Sequence, residues 1–212
     1  MGIISALIMV VVLIFSAIAH EVAHGYVAER LGDPTARLMG RLTLNPVKHI
    51  DPIMSIFLPL VLILSGSPVV FGAAKPVPVD PFNFREPRKD MALVSIAGPL
   101  TNILIAIVAS VIFKISSAFI TTPGMDLLSS LLFIVMQINL ILAIFNLIPI
   151  PPLDGSKVLA LILPEGLANT YLSFGSIGFF VIFLLLLFPI GGLSLGNFIF
   201  NLLGFALKLL GI

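Results

Sequence analysis

Two histidines and a glutamate lie close together in the stretch HEVAH, which begins at His20 and ends at His24. The histidines are four residues apart, so on a helix their imidazoles share one face and can bind the same metal ion. Glu21 follows His20 directly and can act as general base for a water molecule at that metal. Because the pattern is short, a structural cluster without metal is the alternative interpretation.

The motif lies in a segment that resembles a membrane span. Residues 3–28 form an almost continuous apolar run, and about 20 residues suffice to cross a bilayer. The run has no basic start and no clear cleavage site, so we interpret it as a retained span rather than a signal peptide. Glu21 is its only charged residue, and a charge at bilayer depth costs about 2.5–3.5 kcal/mol. This cost favours a metal site.

The composition is that of an integral membrane protein. The 212 residues are 59% hydrophobic and 10% charged, whereas soluble domains are about 45–50% apolar and about 25% charged. We expect an all-α, polytopic helical bundle of about five to six transmembrane segments, forming one domain over residues 1–212. Its catalytic core is expected at about 3–163 and its C-terminal helices at about 167–210. Apolar runs after the first lie at 52–65, 91–113, 127–148, 171–188 and 193–210.

Composition also limits the ligands and partners. The chain contains no cysteine, which excludes thiolate metal ligands and disulfides. Its net charge of +1 gives no reason to expect a nucleic-acid partner. The expected partners are the lipid bilayer and a transmembrane protein substrate, and the oligomeric state stays open.

The basic residues predict the membrane topology. Eight of the eleven fall in two stretches, 29–51 and 75–90, and the positive-inside rule places both in the cytoplasm. The segment between them must therefore leave the cytoplasmic face and return to it. We expect a short helix followed by a short re-entrant strand or loop, in a multi-pass protein of the cell membrane.

Asp154, in the stretch PIPPLDG, is the candidate third metal ligand. With the re-entrant segment, the histidines and Asp154 arrive at the same, cytoplasmic end of the bundle. The alternative is that Asp154 caps the helix that follows it. His49 and Asp51 are rival ligands, although their position in a turn-rich stretch favours a solvated loop.

Two asparagines near the ends of spans are further candidates. Asn146 can donate a hydrogen bond to a scissile carbonyl or to the oxyanion formed from it, or it can join helices. For Asn102 we favour joining helices or supporting the site.

Three motifs together resemble the site-2 protease family, peptidase family M50. They are HEVAH in the first span, AGPLTN in the next clear span and NLIPIPPLDG after the third. The resemblance implies an intramembrane zinc metalloprotease with one Zn²⁺ held by His20, His24 and Asp154. It implies Glu21 as the base, and that Asn146 helps to bind the substrate strand.

The chain looks like a compact form of this family, without the PDZ or CBS domains that many members carry. Residues 69–80 are then the best candidate for binding an unwound substrate by strand addition. The last two apolar runs are a candidate gate or a scaffold. A non-catalytic metal-binding membrane protein or transporter is the competing class. A transporter would be expected to have polar residues distributed along several spans as a pathway. In this chain the ionisable residues lie at one depth, near one face of the membrane.

Overall fold

The computed structural model describes residues 3–65, 74–119, 125–188 and 194–212. These residues form nine α-helices and no β-strand, so the fold is all-helical as predicted. The helices are α1 (Ile3–Leu31), α2 (Thr35–Leu38), α3 (Leu58–Leu64), α4 (Pro87–Phe119), α5 (Met125–Asn146), α6 (Asp154–Ile162), α7 (Glu165–Ser173), α8 (Gly175–Leu187) and α9 (Leu195–Leu209).

Three of the described helices are long and apolar enough to cross a membrane. They are α1, α4 and α5, with mean hydropathies of 2.3, 2.2 and 2.4 over their most apolar parts. The bent pair α7 and α8 would make a fourth span if the two helices cross together. The predicted total of five to six spans is therefore not confirmed.

The three long helices pack against one another and form the centre of the bundle. Asn102 of α4 donates to Ser16 O of α1 and to Asn139 Oδ1 of α5, and Asn139 donates to Ser16 Oγ. Asn102 and Asn139 are fully buried. Paired amides of this kind hold membrane helices together because lipid offers no alternative partner. The buried Leu203 of α9 packs with Leu140 of α5 and Ala106 of α4 in one apolar cluster.

The segment expected to re-enter the membrane begins with a short helix, as predicted. A π-helical stretch, Pro52–Phe57, runs directly into α3 and ends at Leu64. Thirteen helical residues span about 20 Å, which is less than the ~30 Å hydrocarbon core. The expected strand is not confirmed. Residues 69–73 of it lie outside the described residues, and residues 74–80 have no regular secondary structure.

Residues 74–80, which we call the strap, are fastened to the end of α1 through Asp33. One carboxylate oxygen of the fully buried Asp33 accepts from Asp80 N, and the other accepts from the Asn83 amide and the Thr35 hydroxyl. Burial raises the pKa of Asp33, but these donors outweigh it and hold the pKa below its ordinary value. The strap therefore has a fixed end beside α1.

The C-terminal third differs from the two simple spans suggested by the sequence. The run expected at 171–188 is divided, because α7 ends at Ser173 and α8 starts at Gly175, bent by 66° from it. Arg88 at the start of α4 donates to Ala160 O and Leu163 O at the end of α6. This contact ties the C-terminal helices to the centre of the bundle.

Candidate metal centre

The first two site residues lie on one face of α1 and are buried, with His20 5% and His24 8% exposed. Each imidazole uses Nδ1 to bond to α4: His20 to Asn102 Oδ1 at 2.6 Å and His24 to Val94 O at 2.7 Å. Because both oxygens only accept, each Nδ1 carries the hydrogen. The lone pair of each ring is therefore on Nε2, which is the arrangement of metal-binding histidines.

Asp154 reaches the histidines from the first turn of α6. Its Oδ2 lies 3.1 Å from His20 Nε2 and 3.2 Å from His24 Nε2. The N-cap position of α6 is Leu153, so Asp154 is the first residue of the helix rather than its cap, and its carboxylate contacts the imidazoles. Its other oxygen, Oδ1, lies 3.3 Å from Lys157 Nζ, and Lys157 also donates to Pro152 O. Lys157 thus holds the carboxylate with Oδ2 toward the imidazoles.

This donor set fits a zinc ion. Each imidazole lone pair lies within 3.2 Å of the same carboxylate oxygen, which is repulsive unless a cation or a proton lies between them. Two ligands of a tetrahedral zinc, each about 2.0–2.1 Å from it, are about 3.3 Å apart. His20, Glu21 and His24 also form the metal-type cluster found among the described residues, with ligand atoms within 4.8 Å. Zinc is therefore compatible with the spacing and the chemistry.

Gly98 is a site residue that the sequence reasoning missed. It lies on α4 where both imidazoles approach the helix backbone. A Cβ there would lie 2.5 Å from His20 Nε2 and 2.6 Å from His24 Cε1. The signal was present in AGPLTN, but no local property of a glycine within an apolar helix indicates which side chains it faces.

Glu21 is held by the strap. Its Oε2 accepts a hydrogen bond of 2.8 Å from Val77 N, and Val77 belongs to the strap. Arg41 donates to Lys75 O and Pro76 O, and Lys75 N donates to His49 O. The strap is thus fixed on the side facing residues 41–49, and its Val77 amide orients the carboxylate beside His20.

Neither rival ligand belongs to the metal-type cluster of His20, Glu21 and His24 found among the described residues. His49 is fully buried and bonds through Nε2 to Thr43 O, while burial lowers its pKa. Asp51 accepts from Ile53 N and its backbone N donates to Ser55 Oγ. Both residues organise their own loop. His49 is a buried residue, in contrast to the solvated loop histidine that the sequence suggested.

Asn146 lines the same cavity as the imidazoles but is not hydrogen-bonded to them. Its amide donates to Leu142 O of its own helix. The cavity has a volume of about 730 Å³ and is bounded by α1, the strap, α4, α5 and the C-terminal helices. It contains His20, Glu21, His24 and Asp154 in its wall, so the cluster faces an open space large enough for a peptide segment.

The fold and the site define a helical membrane protein with a metal-ligand cluster on an H-E-x-x-H helix. The profile of peptidase family M50 matches residues 8–122 and 120–189, which is most of the chain. The chain belongs to peptidase family M50, the site-2 protease family.

Similar proteins carry names that agree with this family. "Putative zinc metalloprotease YwhC" of Bacillus subtilis (strain 168) is 38% identical over 190 residues, covering 86% of this chain and 81% of that protein. "Putative zinc metalloprotease Rip2" of Mycolicibacterium smegmatis is 31% identical over 143 residues, covering 67% of this chain. That match spans about half of Rip2, 52% of its length. No solved structure shows a significant match.

Proposed function

We propose that this chain is an intramembrane zinc metalloprotease that hydrolyses a peptide bond in or near a transmembrane segment of a membrane-protein substrate. The observation that carries the proposal is the convergence of His20 Nε2, His24 Nε2 and Asp154 Oδ2. These three atoms would hold one zinc ion. When bound, zinc supplies Lewis acidity, which activates water and polarises a carbonyl group.

Glu21 is the proposed general base. Its carboxylate is next to His20 and lines the cavity, so it reaches a water molecule that enters beside the imidazoles. It takes a proton from the attacking water and later gives that proton to the leaving amine. The hydrogen bond from Val77 N fixes one oxygen of the carboxylate and leaves the other for this proton transfer.

Asn146 is the proposed donor to the substrate. One hydrogen of its amide is bonded to Leu142 O, and the second hydrogen can be donated to the scissile carbonyl. A substrate segment must unwind locally here, because a helical peptide bond is already hydrogen-bonded and shielded. The apolar lining of the cavity suits the side chains of such a segment.

The membrane orientation is part of the same proposal. Arg30, Arg37 and Arg41 follow α1 at the end that carries His20 and His24, and Lys75 and the basic start of α4 lie at that end too. The positive-inside rule then puts the site toward the cytoplasmic side of the cell membrane. In this orientation the short helical stretch 52–64 enters the membrane from that side.

The function is tested with purified protein in lipid nanodiscs and a designed fluorogenic transmembrane substrate. The wild type should cleave it, lose activity when zinc is chelated and regain activity when zinc is added back. Glu21→Gln should lose at least about 100-fold in kcat, the lower end of what a general base contributes. Glu86→Gln, which alters an exposed carboxylate, is the control. Cleavage that survives chelation, or full activity of Glu21→Gln, would refute the proposal.

A further inference from the structure

Gln137 is a polar residue at the midpoint of an apolar span. It lies in α5, whose candidate membrane span runs from Leu127 to Asn146. Placing a side-chain amide in hydrocarbon without a hydrogen-bond partner costs free energy. Polar residues within membrane spans therefore face the protein interior or a cavity, and they mark functional sites by default.

The amide of Gln137 has no partner within the described parts of the chain. The two other side-chain amides in the middle of the bundle, Asn102 and Asn139, bond to each other and to Ser16. Gln137 is outside that network and is half-buried. Its side chain instead lines the cavity that contains the metal-ligand cluster. The role of joining helices is thus already filled by the asparagines.

The cavity extends far from the cluster. On α1 its lining begins at Met9 and ends at His24, fifteen residues along the helix, which corresponds to about 22 Å. At the end away from the cluster, the side chains that α1 contributes to the wall are the apolar Met9 and Leu13. Gln137 is the polar residue in that part of the described lining.

The depth of Gln137 follows from the helix contacts. Asn139 lies level with Ser16, to which its amide donates. His20 follows Ser16 along α1, and Asp154 follows Asn139 and the end of α5. Because His20 and Asp154 are in contact, α1 and α5 run in the same direction. Gln137 is two residues before Asn139, so it lies about six helical residues, or about 9 Å, from the level of His20. In an extended peptide this distance corresponds to about three residues.

We propose that Gln137 is a specificity-determining residue that binds a polar side chain of the substrate's transmembrane segment. The preferred side chain is uncharged and hydrogen-bonding, as in Asn, Gln, Ser or Thr, and lies about three residues from the scissile bond. This side chain forms a hydrogen bond with the amide of Gln137. Both groups thereby gain a hydrogen-bond partner at a depth where lipid provides none. The inference rests on the proposed function.

The test scans one Asn through each position within seven residues of the scissile bond of an otherwise all-Leu substrate segment. For the wild type, kcat/KM should rise about threefold to tenfold at one position about three residues away, the effect of one net hydrogen bond. Gln137→Met has similar size and no hydrogen-bonding amide, and should give a flat profile. Gln137→Asn should restore part of the preference. Leu131→Met, on the same helix outside the cavity lining, should behave as wild type.

Binding separates this inference from the proposed function. The same substrates are bound to Glu21→Gln and to Glu21→Gln/Gln137→Met, with affinity read by fluorescence anisotropy. The Asn substrate should bind about threefold to tenfold more tightly than the all-Leu substrate only where Gln137 is present. Equal affinities in the two variants, or equal cleavage profiles for wild type and Gln137→Met, would overturn the role of Gln137. If the wild type cleaves nothing, the proposed function fails, and the binding comparison alone decides the role of Gln137.

Discussion

The orientation of the histidine pair depends on hydrogen bonds between the Nδ1 atom of each ring and α4. Asn102 Oδ1 accepts a hydrogen bond from His20 Nδ1–H, and Val94 O accepts one from His24 Nδ1–H. Neither ring therefore needs a metal to adopt its orientation. Gly98 lies between them and allows the rings to touch the backbone of α4. The site is therefore preformed by α4 as much as by α1. Such supporting contacts typically change metal affinity about 10–100-fold.

Gly98→Ala should abolish most zinc binding. The added Cβ would come within 2.6 Å of both imidazoles, and these rings would have to move away from Asp154. We expect zinc content and cleavage to fall together, measured by atomic emission and by the fluorogenic assay.

Gly166→Ala is the matched control for that substitution. Gly166 lies in α7, where an added Cβ would meet no other part of the described structure within 4 Å beyond its own helical turn, so alanine should leave zinc and activity intact. It should also stabilise the helix by up to about 1 kcal/mol, through the higher helix propensity of alanine. Wild-type zinc content in Gly98→Ala would contradict the account of the two rings.

At this scale the sequence predicted the residues that are brought together and a supporting or helix-joining role for Asn102. It did not predict the other supporting contacts. His20, Glu21 and His24 follow from their spacing, and Asp154 follows from topology. Gly98 and the burial of His49 depend on which side chains face them across the bundle. Such distant contacts are not encoded in any local pattern, so the sequence alone could not reveal them.

The strap is the element that joins the base to the rest of the molecule. It carries Val77, whose N–H orients Glu21, and it is fixed by Arg41 on one side and Asp33 at its end. The extended segment predicted here for substrate binding thus has a second role in its described part. Its contact with Glu21 could not be predicted, because the two residues are far apart in the sequence.

Arg41→Met should release the strap without disturbing the metal ligands. We expect kcat to fall about tenfold, because Glu21 loses its fixed orientation and misplaced catalytic groups are costly. Zinc content should stay at the wild-type value. Arg37→Met, which removes an exposed partner of Glu29, is the control. A loss of zinc in Arg41→Met, or an unchanged kcat, would show that the strap does not act through Glu21.

Asp33 should make the stability of the strap region depend on pH. Its folded-state pKa is lowered below the unfolded value of about 3.9. The stabilisation is therefore fully present above that pH and is lost as the pH falls toward the folded-state pKa. Asp33→Asn should lower the free energy of unfolding by about 1–3 kcal/mol at pH 7, since one of the two accepting oxygens is replaced by an NH2 group that faces other donors.

Thermal unfolding in detergent between pH 3 and pH 7 checks this expectation. The difference in midpoint between wild type and Asp33→Asn should shrink toward pH 3. A difference that is constant across this range would mean that the carboxylate charge of Asp33 does not contribute.

For the whole molecule, the sequence predicted the class of fold better than the number of spans. The runs of α1, α4 and α5 are long, and each forms one helix, even though α4 contains Gly98 and Pro99. The two last runs contain glycine and are separated by Pro189. There, hydropathy alone cannot distinguish one span from two helices with a bend between them. The break between α7 and α8 is such a case.

Different helices of the bundle hold the metal ligands and form the cavity wall. Three long helices hold the histidines and their partners, the segment after α5 brings Asp154 to them, and the C-terminal helices complete the cavity. Substrate side chains would meet a mostly apolar wall with polar groups concentrated around the cluster. This distribution suits hydrolysis at one depth rather than transport along a path.

The most direct test of the account is the zinc content of the purified protein, compared with Asp154→Ala and Glu21→Gln. We predict about one zinc ion per chain in the wild type and in Glu21→Gln, because Glu21 is not among the three proposed ligands. Asp154→Ala should retain little zinc, since only two protein ligands, the imidazoles of His20 and His24, would remain. Wild-type protein without zinc, or Asp154→Ala with a full complement, would contradict the assignment of His20, His24 and Asp154 as a zinc site.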